Sequence, residues 1–301
     1  MQVAIRIDHN VAGNRVTTPA LSMFEAMKLS DAKMGTLSQG TIFTCAKAER
    51  YCDQVVYGLV ITARCDIAQE KFPVLNYVPV VTLDDWLMVD GLDLIRERAE
   101  KESYGKLKGF LKAHDVAESI LISQTLRDLS SSIFSGLKEK EKQQFESIIT
   151  QIELSTTGCI PNISKFFEEF ERTKVSLIED LIHHKVTGYY FLPGVYTSDP
   201  KRGFVVLLRE ASFVPRDIAP LIANGADLAT LKTSKTPNAV NCLNFSIDDF
   251  AMPISQIPSP EIEHILQSFS MMFGRIGLAD PDPLLISELR NRIPEKARAA
   301  R

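Results

Sequence analysis

The spacing of apolar residues along this 301-residue chain changes period twice, and this limits the folds open to it. β-Branched and aromatic residues mark three short strand-like segments, at 40–44, 55–62 and 77–83. Helical spacing follows over 84–186, and strand character returns at 187–193 and 203–209. We therefore predict an α+β fold. Residues 37–83 and 187–255 would form a small, bent antiparallel sheet or barrel, interrupted by a helical insertion.

The same pattern predicts how the chain is divided. Residues 1–36 form an N-terminal extension with a helix from Pro19 to about Met34. Residues 37–83 and 187–280 form the β-rich core, including a C-terminal helix that begins at Ser259-Pro260, packs back on the sheet and ends at Gly274 or Gly277. Residues 84–186 form the insertion, and 281–301 form a basic tail.

Finer expectations concern single elements. Segment 55–62 is almost wholly apolar, so both of its faces are expected to be buried, and Pro79 predicts an edge strand or a bulge. Asp84 and Asp85 are expected to cap a helix beginning at Trp86. The expected helices of the insertion lie near 86–103, 105–135, 138–153 and 161–184. The last of these carries an apolar stripe opposite a charged side.

Composition excludes several classes of protein. Apolar residues make up 45% of the chain and charged residues 24%, which is typical of a globular core. A net charge of −4 argues against wholesale wrapping of nucleic acid but allows a local basic groove. No apolar run approaches the roughly 20 residues that cross a bilayer, and the first ten residues do not form a signal peptide. We expect a cytoplasmic protein with no membrane partner, whose oligomeric state stays open.

Metal and cofactor motifs are missing from the sequence. The five cysteines include no Cys-x-x-Cys pair, so we expect buried free thiols rather than a zinc site, and we expect no cofactor. Walker A, Gly-x-Gly-x-x-Gly and Gly-x-Ser-x-Gly patterns are also missing. His183 and His184 are expected to cap the end of a helix. Glu261 and His264 share one helical face, which we expect to dock on the sheet, with Arg275 forming an ion pair.

Residues 62–71 carry the densest set of reactive side chains. Directly after a buried strand, Thr62, Arg64, Cys65, Asp66 and Lys71 supply a hydroxyl, a guanidinium, a thiol, a carboxylate and an ammonium. Functional groups often lie on connections that a rigid scaffold holds in place. The alternative is a polar loop in which Asp66 caps a turn or pairs with Arg64.

Two segments bear a family resemblance. Gln39-Gly40-Thr41-Ile42-Phe43, followed by Gly58-Leu59-Val60-Ile61-Thr62, resembles the opening of the MazF/PemK-like toxins, and 187–210 is loosely similar. Those toxins are SH3-like barrels that cut RNA without a metal. Thr62 matches their hydroxyl position, whereas Gln39 stands at their Arg position and Thr41 at their Asp position. Cleavage needs a cation or proton donor near the scissile phosphate. Either Arg64 supplies it, or the site does not cut.

Two functions follow as hypotheses. In the first, the chain is a divergent barrel protein of the toxin or phage-defence kind that binds RNA or single-stranded DNA. Gln39, Arg64 and Lys71 would hold the strand, and Thr62, Arg64 and Asp66 would form the catalytic set if it is a metal-independent endoribonuclease. In the second, it is a non-enzymatic adaptor or effector subunit whose helical insertion docks a partner protein.

Overall fold

The computed structural model describes residues 29–133, 137–157, 160, 162–196, 202–234, 236, 239–245 and 250–273. Over these residues the protein is a mixed α+β structure, in which a curled antiparallel sheet forms a half-barrel and several helices accompany it. This confirms the predicted class and the bent antiparallel sheet. The helix predicted from Pro19 to Met34 lies largely outside the described residues, and its described part is wrong, because Ser30 and Asp31 form a strand.

The strands occur in two groups along the chain. The described strands are β1 (Ser30–Asp31), β2 (Thr41–Phe43), β3 (Tyr57–Val60), β4 (Val74–Thr82), β5 (Tyr189–Leu192), β6 (Phe204–Leu207), β7 (Ser212–Pro215), β8 (Ala226–Asp227), β9 (Phe250–Ala251) and β10 (Pro253–Gln256). The main sheet runs β1-β10-β2-β3-β4-β6-β5 with every pair antiparallel, and β7 pairs with the first half of β4. β8 and β9 form a separate pair.

β4 is the central strand of the sheet, which corrects the prediction for Pro79. Pro79 lies opposite Gly58 of β3 rather than on an edge. On its other side β4 pairs with β7 as far as Tyr77 and with β6 from Val80 onward. Pro79 therefore occupies the interval where the second partner strand changes, and a residue without an N–H is tolerated there.

The helices follow β3, fill the interval between β4 and β5, and recur near the end. They are α1 (Arg64–Ala68), α2 (Leu83–Met88), α3 (Asp90–Ala113), α4 (Ile120–Ser123), α5 (Leu126–Ile133), α6 (Glu139–Thr156), α7 (Ile163–Glu169), α8 (Glu171–Ile182), α9 (Ala219–Asn224), α10 (Leu228–Lys232) and α11 (Glu261–Phe273). A 3-10 turn spans Ala239–Cys242. No described helix has the length and apolar character needed to span a membrane.

Several boundaries inside the helical block differ from the prediction, two of them in its first half. α2 begins at Leu83, not at Trp86, because Thr82 caps it: the Thr82 hydroxyl accepts the Asp85 N–H at 3.1 Å. α3 continues without interruption past residue 104, where a break was expected, and ends at Ala113. The chain then turns through Asp115, which has a φ of +56°.

Both faces of the sheet are covered, as expected for the β3 segment. Alternate residues of β2 and β3 enter two different apolar clusters: Phe43 and Val60 pack toward α2, α3, α7 and α8, and Ile42 and Leu59 pack toward α11. All four residues are essentially inaccessible to solvent. The sheet is therefore the middle layer of a helix–sheet–helix arrangement.

The helical block contains two separate apolar clusters. The part nearest the sheet belongs to the main core, through Trp86 and Ile95. α3 contributes residues to both clusters. The outer part of the block packs Leu107 and Phe110 of α3 against Phe145 and Ile149 of α6.

The apolar stripe that motivated the adaptor hypothesis is used inside the protein. Phe166, Phe170, Leu177 and Leu181, on α7 and α8, are all buried in the main core. These four side chains are therefore not available to a partner protein.

Candidate functional site at one edge of the sheet

The fold brings three of the five residues predicted for the site to one edge of the sheet, at the strand ends where β2 begins and β3 finishes. The side-chain amide of Gln39, just before β2, donates to the Ile61 carbonyl at 3.3 Å, directly after β3. Thr62 follows Ile61, and Arg64 opens α1 two residues later. We call Gln39, Thr62, Arg64, Asp66 and Lys71 the edge site. Its groups lie close along the chain and across one strand pair, although no hydrogen bond joins Thr62 to Arg64.

A glycine makes the approach at Gln39 possible. Gly40 has a φ of +90°, and a Cβ there would lie 2.7 Å from Gln256 Nε2 and 2.9 Å from the Ile257 carbonyl. Only glycine satisfies both the backbone angle and the space. Gln256 in turn donates to the Gln39 carbonyl at 2.8 Å and accepts from the Thr41 hydroxyl at 2.8 Å. Thr41, which stands where the toxin family carries an Asp, is thus a buried structural residue.

Residues 64–68 form a short helix, not the polar loop of the alternative interpretation. Arg64 Nη2 lies 3.2 Å from Glu263 Oε1 on α11, so the carboxylate partner of Arg64 is Glu263 and not Asp66. Asp66 does not cap the helix, because Ala63 is the N-cap residue. Arg64, Asp66 and Lys71 are exposed, and Lys71 joins the turn through its N–H, which donates to the Asp66 carbonyl at 2.9 Å.

The hydroxyl of Thr62 is already committed to the backbone. Its side chain is buried, with 7% of the residue exposed. Thr62 Oγ1 accepts the Asn76 N–H at 2.7 Å and lies 3.5 Å from the Asn76 carbonyl. This hydroxyl therefore joins the end of β3 to β4, and it is neither exposed nor free to receive a proton from a substrate.

Replacing Thr62 by valine is expected to lower stability. The change keeps the shape but leaves the Asn76 N–H without its acceptor, at a cost of about 1 kcal/mol. Chemical denaturation measures it, and Thr36→Val, at an exposed hydroxyl that donates to the Lys33 carbonyl at 3.2 Å, is the matched control. Unchanged stability in Thr62→Val would contradict the structural role of this hydroxyl.

The sequence did not reveal a second polar region, which we call the charged cavity. It has a volume of about 710 Å³. Its walls come from three separate stretches of chain, and they are formed by Lys47, Ala48, Glu49, Cys52, Arg209, Glu210, Ala211, Ser212 and Asn244. Because the stretches around residues 47, 210 and 244 are far apart in sequence, spacing alone could not group them.

Beside the cavity, an arginine, two aspartates and a tyrosine form a hydrogen-bonded network. Arg50 bonds both Asp90 and Asp93, and the Tyr51 hydroxyl donates to Asp90 Oδ2 at 2.7 Å. Burial raises the pKa of Tyr51, and the hydrogen bond to Asp90 raises it further. Burial also raises the pKa of the half-buried Glu210, despite the Glu49 N–H that its Oε2 accepts at 3.1 Å. Such perturbed groups next to a cavity are typical of functional sites.

Three rings form a third cluster, between α8, β5 and α11. The rings of His184 and Tyr190 stack at a centroid distance of 3.9 Å, and the Tyr190 hydroxyl lies 2.8 Å from His264 Nδ1. His264 is thus the residue of the predicted polar face that contacts a strand, whereas Ile262 and Ile265 form the side of α11 that is buried against the sheet. Arg275 lies outside the described residues. Of the two histidines predicted to cap α8, only His183 does so, with Nδ1 2.7 Å from the Glu179 carbonyl.

Acidification is expected to destabilise the protein through His184. Burial, together with the neighbouring His264 and His183, lowers its pKa to about 4. In the unfolded chain His184 takes up a proton near pH 6.5, before the folded state does, so stability falls as the pH drops from about 6.5 to about 4. Allowing for partial exposure, the loss is roughly 1–2 kcal/mol.

Unfolding midpoints across this pH range test the assignment. His184→Asn removes the titrating ring and suits the φ of +55° at this position. The variant should lose a corresponding part of the acid sensitivity. If wild type and variant show the same pH slope, another group is responsible.

Cysteine positions agree only in part with expectation. Cys45 is buried, whereas Cys52 and Cys65 are exposed and Cys242 is intermediate. Cys159 lies outside the described residues. Among the described residues no cluster of three or more His, Cys, Asp or Glu side chains is arranged to hold a metal.

Comparisons of this chain with protein-family models, with curated proteins and with solved structures found no match.

Proposed function

We propose that this chain binds a single strand of nucleic acid at the edge site and does not cut it. One observation carries the proposal: Gln39, Thr62 and the exposed Arg64 lie at one edge of a curled antiparallel sheet. In the proposal this sheet is a divergent SH3-like barrel, and the protein is of the toxin or phage-defence type. The resemblance of 39–43 and 58–62 to the MazF/PemK-like toxins points to the same edge.

Arg64 is the principal phosphate-binding residue in this proposal. Its ion pair with Glu263 is half-exposed on both sides, and such pairs contribute about 0–1 kcal/mol. A phosphate oxygen can therefore replace Glu263 at little cost, through charge-assisted bonds from a planar guanidinium. Lys71, also exposed, supplies a second positive charge from the same turn of chain.

Binding without cleavage is favoured by the state of the other groups. The Thr62 hydroxyl is occupied by the Asn76 backbone, and the Gln39 amide has no proton to transfer. Arg64 can stabilise charge on a phosphate, and the nearest described carboxylate, that of Glu263, is held in an ion pair with it. The edge site therefore fits a strand-holding role.

Fluorescence anisotropy with labelled single-stranded RNA and DNA of mixed sequence tests the proposal. Arg64→Ala should weaken binding several-fold, up to about tenfold, and should lower the salt slope by about 0.7 for one lost phosphate contact. Arg127→Ala is the matched control, since Arg127 is an exposed arginine that bonds an exposed carboxylate, Glu153, elsewhere. Its affinity should equal that of wild type.

Three results would reject the proposal. These are a wild type that binds neither strand at low salt, equal behaviour of Arg64→Ala and Arg127→Ala, and an affinity that does not depend on salt. The same oligonucleotides, recovered after incubation and run on a gel, should be intact. Cutting that Arg64→Ala abolishes would show instead that Arg64 has taken over the family's catalytic cation.

A further inference from the structure

Glu210, in the wall of the charged cavity, is a carboxylate without a cation of its own. It is half-buried in the turn after β6 and accepts one backbone N–H, from Glu49, at 3.1 Å. Among the described residues, no Lys, Arg or His nitrogen lies within 4.0 Å of it. A carboxylate in this position has lost part of its hydration without gaining an opposite charge in return.

The two basic residues of the cavity point at other groups. Lys47 Nζ donates to the Asn241 carbonyl at 2.6 Å. Arg209 Nη2 donates to the Thr187 carbonyl at 3.1 Å, and the Arg209 guanidinium lies 5.9 Å from the centre of the Tyr189 ring. Gly188 makes room for this arrangement, because a Cβ there would lie 2.2 Å from Arg209 Nε.

Neighbouring negative charges further destabilise the ionised form of Glu210. Beyond burial, the carboxylates of Asp90 and Glu49 both raise the pKa of Glu210, and Arg50 offsets them only in part. Arg50 itself is held by Asp90 and Asp93. Asp90 and Glu49 are therefore negatively charged neighbours of Glu210, at a partly desolvated position where charge pairing is stronger than in bulk water.

We propose that the charged cavity binds a small organic cation, whose protonated amine or guanidinium pairs with Glu210. Its volume of about 710 Å³ lies within the range of roughly 300–1,000 Å³ that is usual for small-molecule sites. Ala48 and Ala211 supply short apolar walls for an alkyl chain, and Asn244 adds a polar group. The cavity and the edge site share no residue, so this inference stands independently of strand binding.

Putrescine and agmatine are the probes, with butane-1,4-diol as a neutral compound of the same chain length as putrescine. Isothermal titration of the full chain should detect binding of at least one of the cations and none of the diol. Because the carboxylate must be ionised, affinity should rise as the pH rises through the pKa of Glu210, which lies above its ordinary value. Both measurements use wild-type protein, so they do not depend on whether a variant folds.

Glu210→Gln removes the charge and keeps an oxygen that accepts the Glu49 N–H. It should weaken binding of the cation by about tenfold or more, whereas Glu97→Gln, at an exposed carboxylate on α3 paired with Lys101, should bind like wild type. The inference is overturned if neither cation binds at millimolar concentration, if the diol binds as well as the diamine, or if Glu210→Gln keeps wild-type affinity.

Discussion

Gly58→Ala is expected to destabilise the protein by about 3 kcal/mol, near the upper end of the usual cost of overpacking a core. Gly58 lies opposite Phe43 in the β2–β3 pair, and a Cβ would lie 2.3 Å from Cζ and 2.4 Å from Cε1 of that ring. Phe43 cannot move aside easily. It is fully buried, and its ring meets Tyr77 edge to face at a centroid distance of 5.3 Å.

Gly109→Ala is the matched control, with the opposite sign. Gly109 is exposed in the second half of α3, and a Cβ there meets nothing within 4 Å. The same substitution should therefore stabilise the protein by about 0.5–1 kcal/mol through helix propensity. Urea denaturation of both variants measures the difference. Equal effects of the two changes would contradict the packing described around Phe43.

Asp90→Ala is expected to lower the free energy of unfolding by about 3 kcal/mol. This is the low end of the range for breaking a buried ion pair, because Arg50 is half-exposed. Asp90 is 7% exposed and lies in the first turn of α3. It accepts hydrogen bonds from both Arg50 and the buried Tyr51 hydroxyl. Its loss leaves that hydroxyl without an acceptor and removes a negative charge from the start of the helix.

Asp93→Ala separates this buried contact from a surface one. Asp93 binds the same Arg50 side chain, but its own side chain is 55% exposed. The expected cost is below about 1 kcal/mol. Thermal and urea unfolding of the two variants should differ clearly, and a similar loss in both would show that Asp90 contributes only as a surface charge.

The sequence predicted the parts of the sheet that are apolar on both faces. β2, β3, β5 and β6 are short and buried, so β-branched and aromatic residues dominate them, and the period change locates them. β7 was missed because it lies at the margin of the sheet, where it pairs with β4 alone among the described strands. Phe213 is 55% exposed, and the strand has no apolar run. β1 and β10 pair across more than 220 residues of sequence, and no local pattern reports such a contact.

The candidate site was predicted in part for a similar reason. Proximity along the chain after a buried strand placed Thr62 and Arg64 together, and the resemblance added Gln39. Neither argument could show that the Thr62 hydroxyl bonds Asn76, since that contact depends on the register of β3 against β4. The pairing of Arg64 with Glu263 joins residues 199 positions apart, so the sequence could not predict it either.

α3 belongs to two apolar clusters, and this affects how the protein opens. Its first half contributes Ile95 and Ala99 to the core under the sheet, and its second half contributes Leu107 and Leu111 to the outer cluster with α6. At 24 residues, the helix is about 36 Å long. Local unfolding follows contiguous packed units. The outer cluster, formed by the second half of α3 and by α6, can therefore unfold and exchange its amide hydrogens while the sheet remains folded. The boundary between the two cooperative units then falls inside one continuous helix.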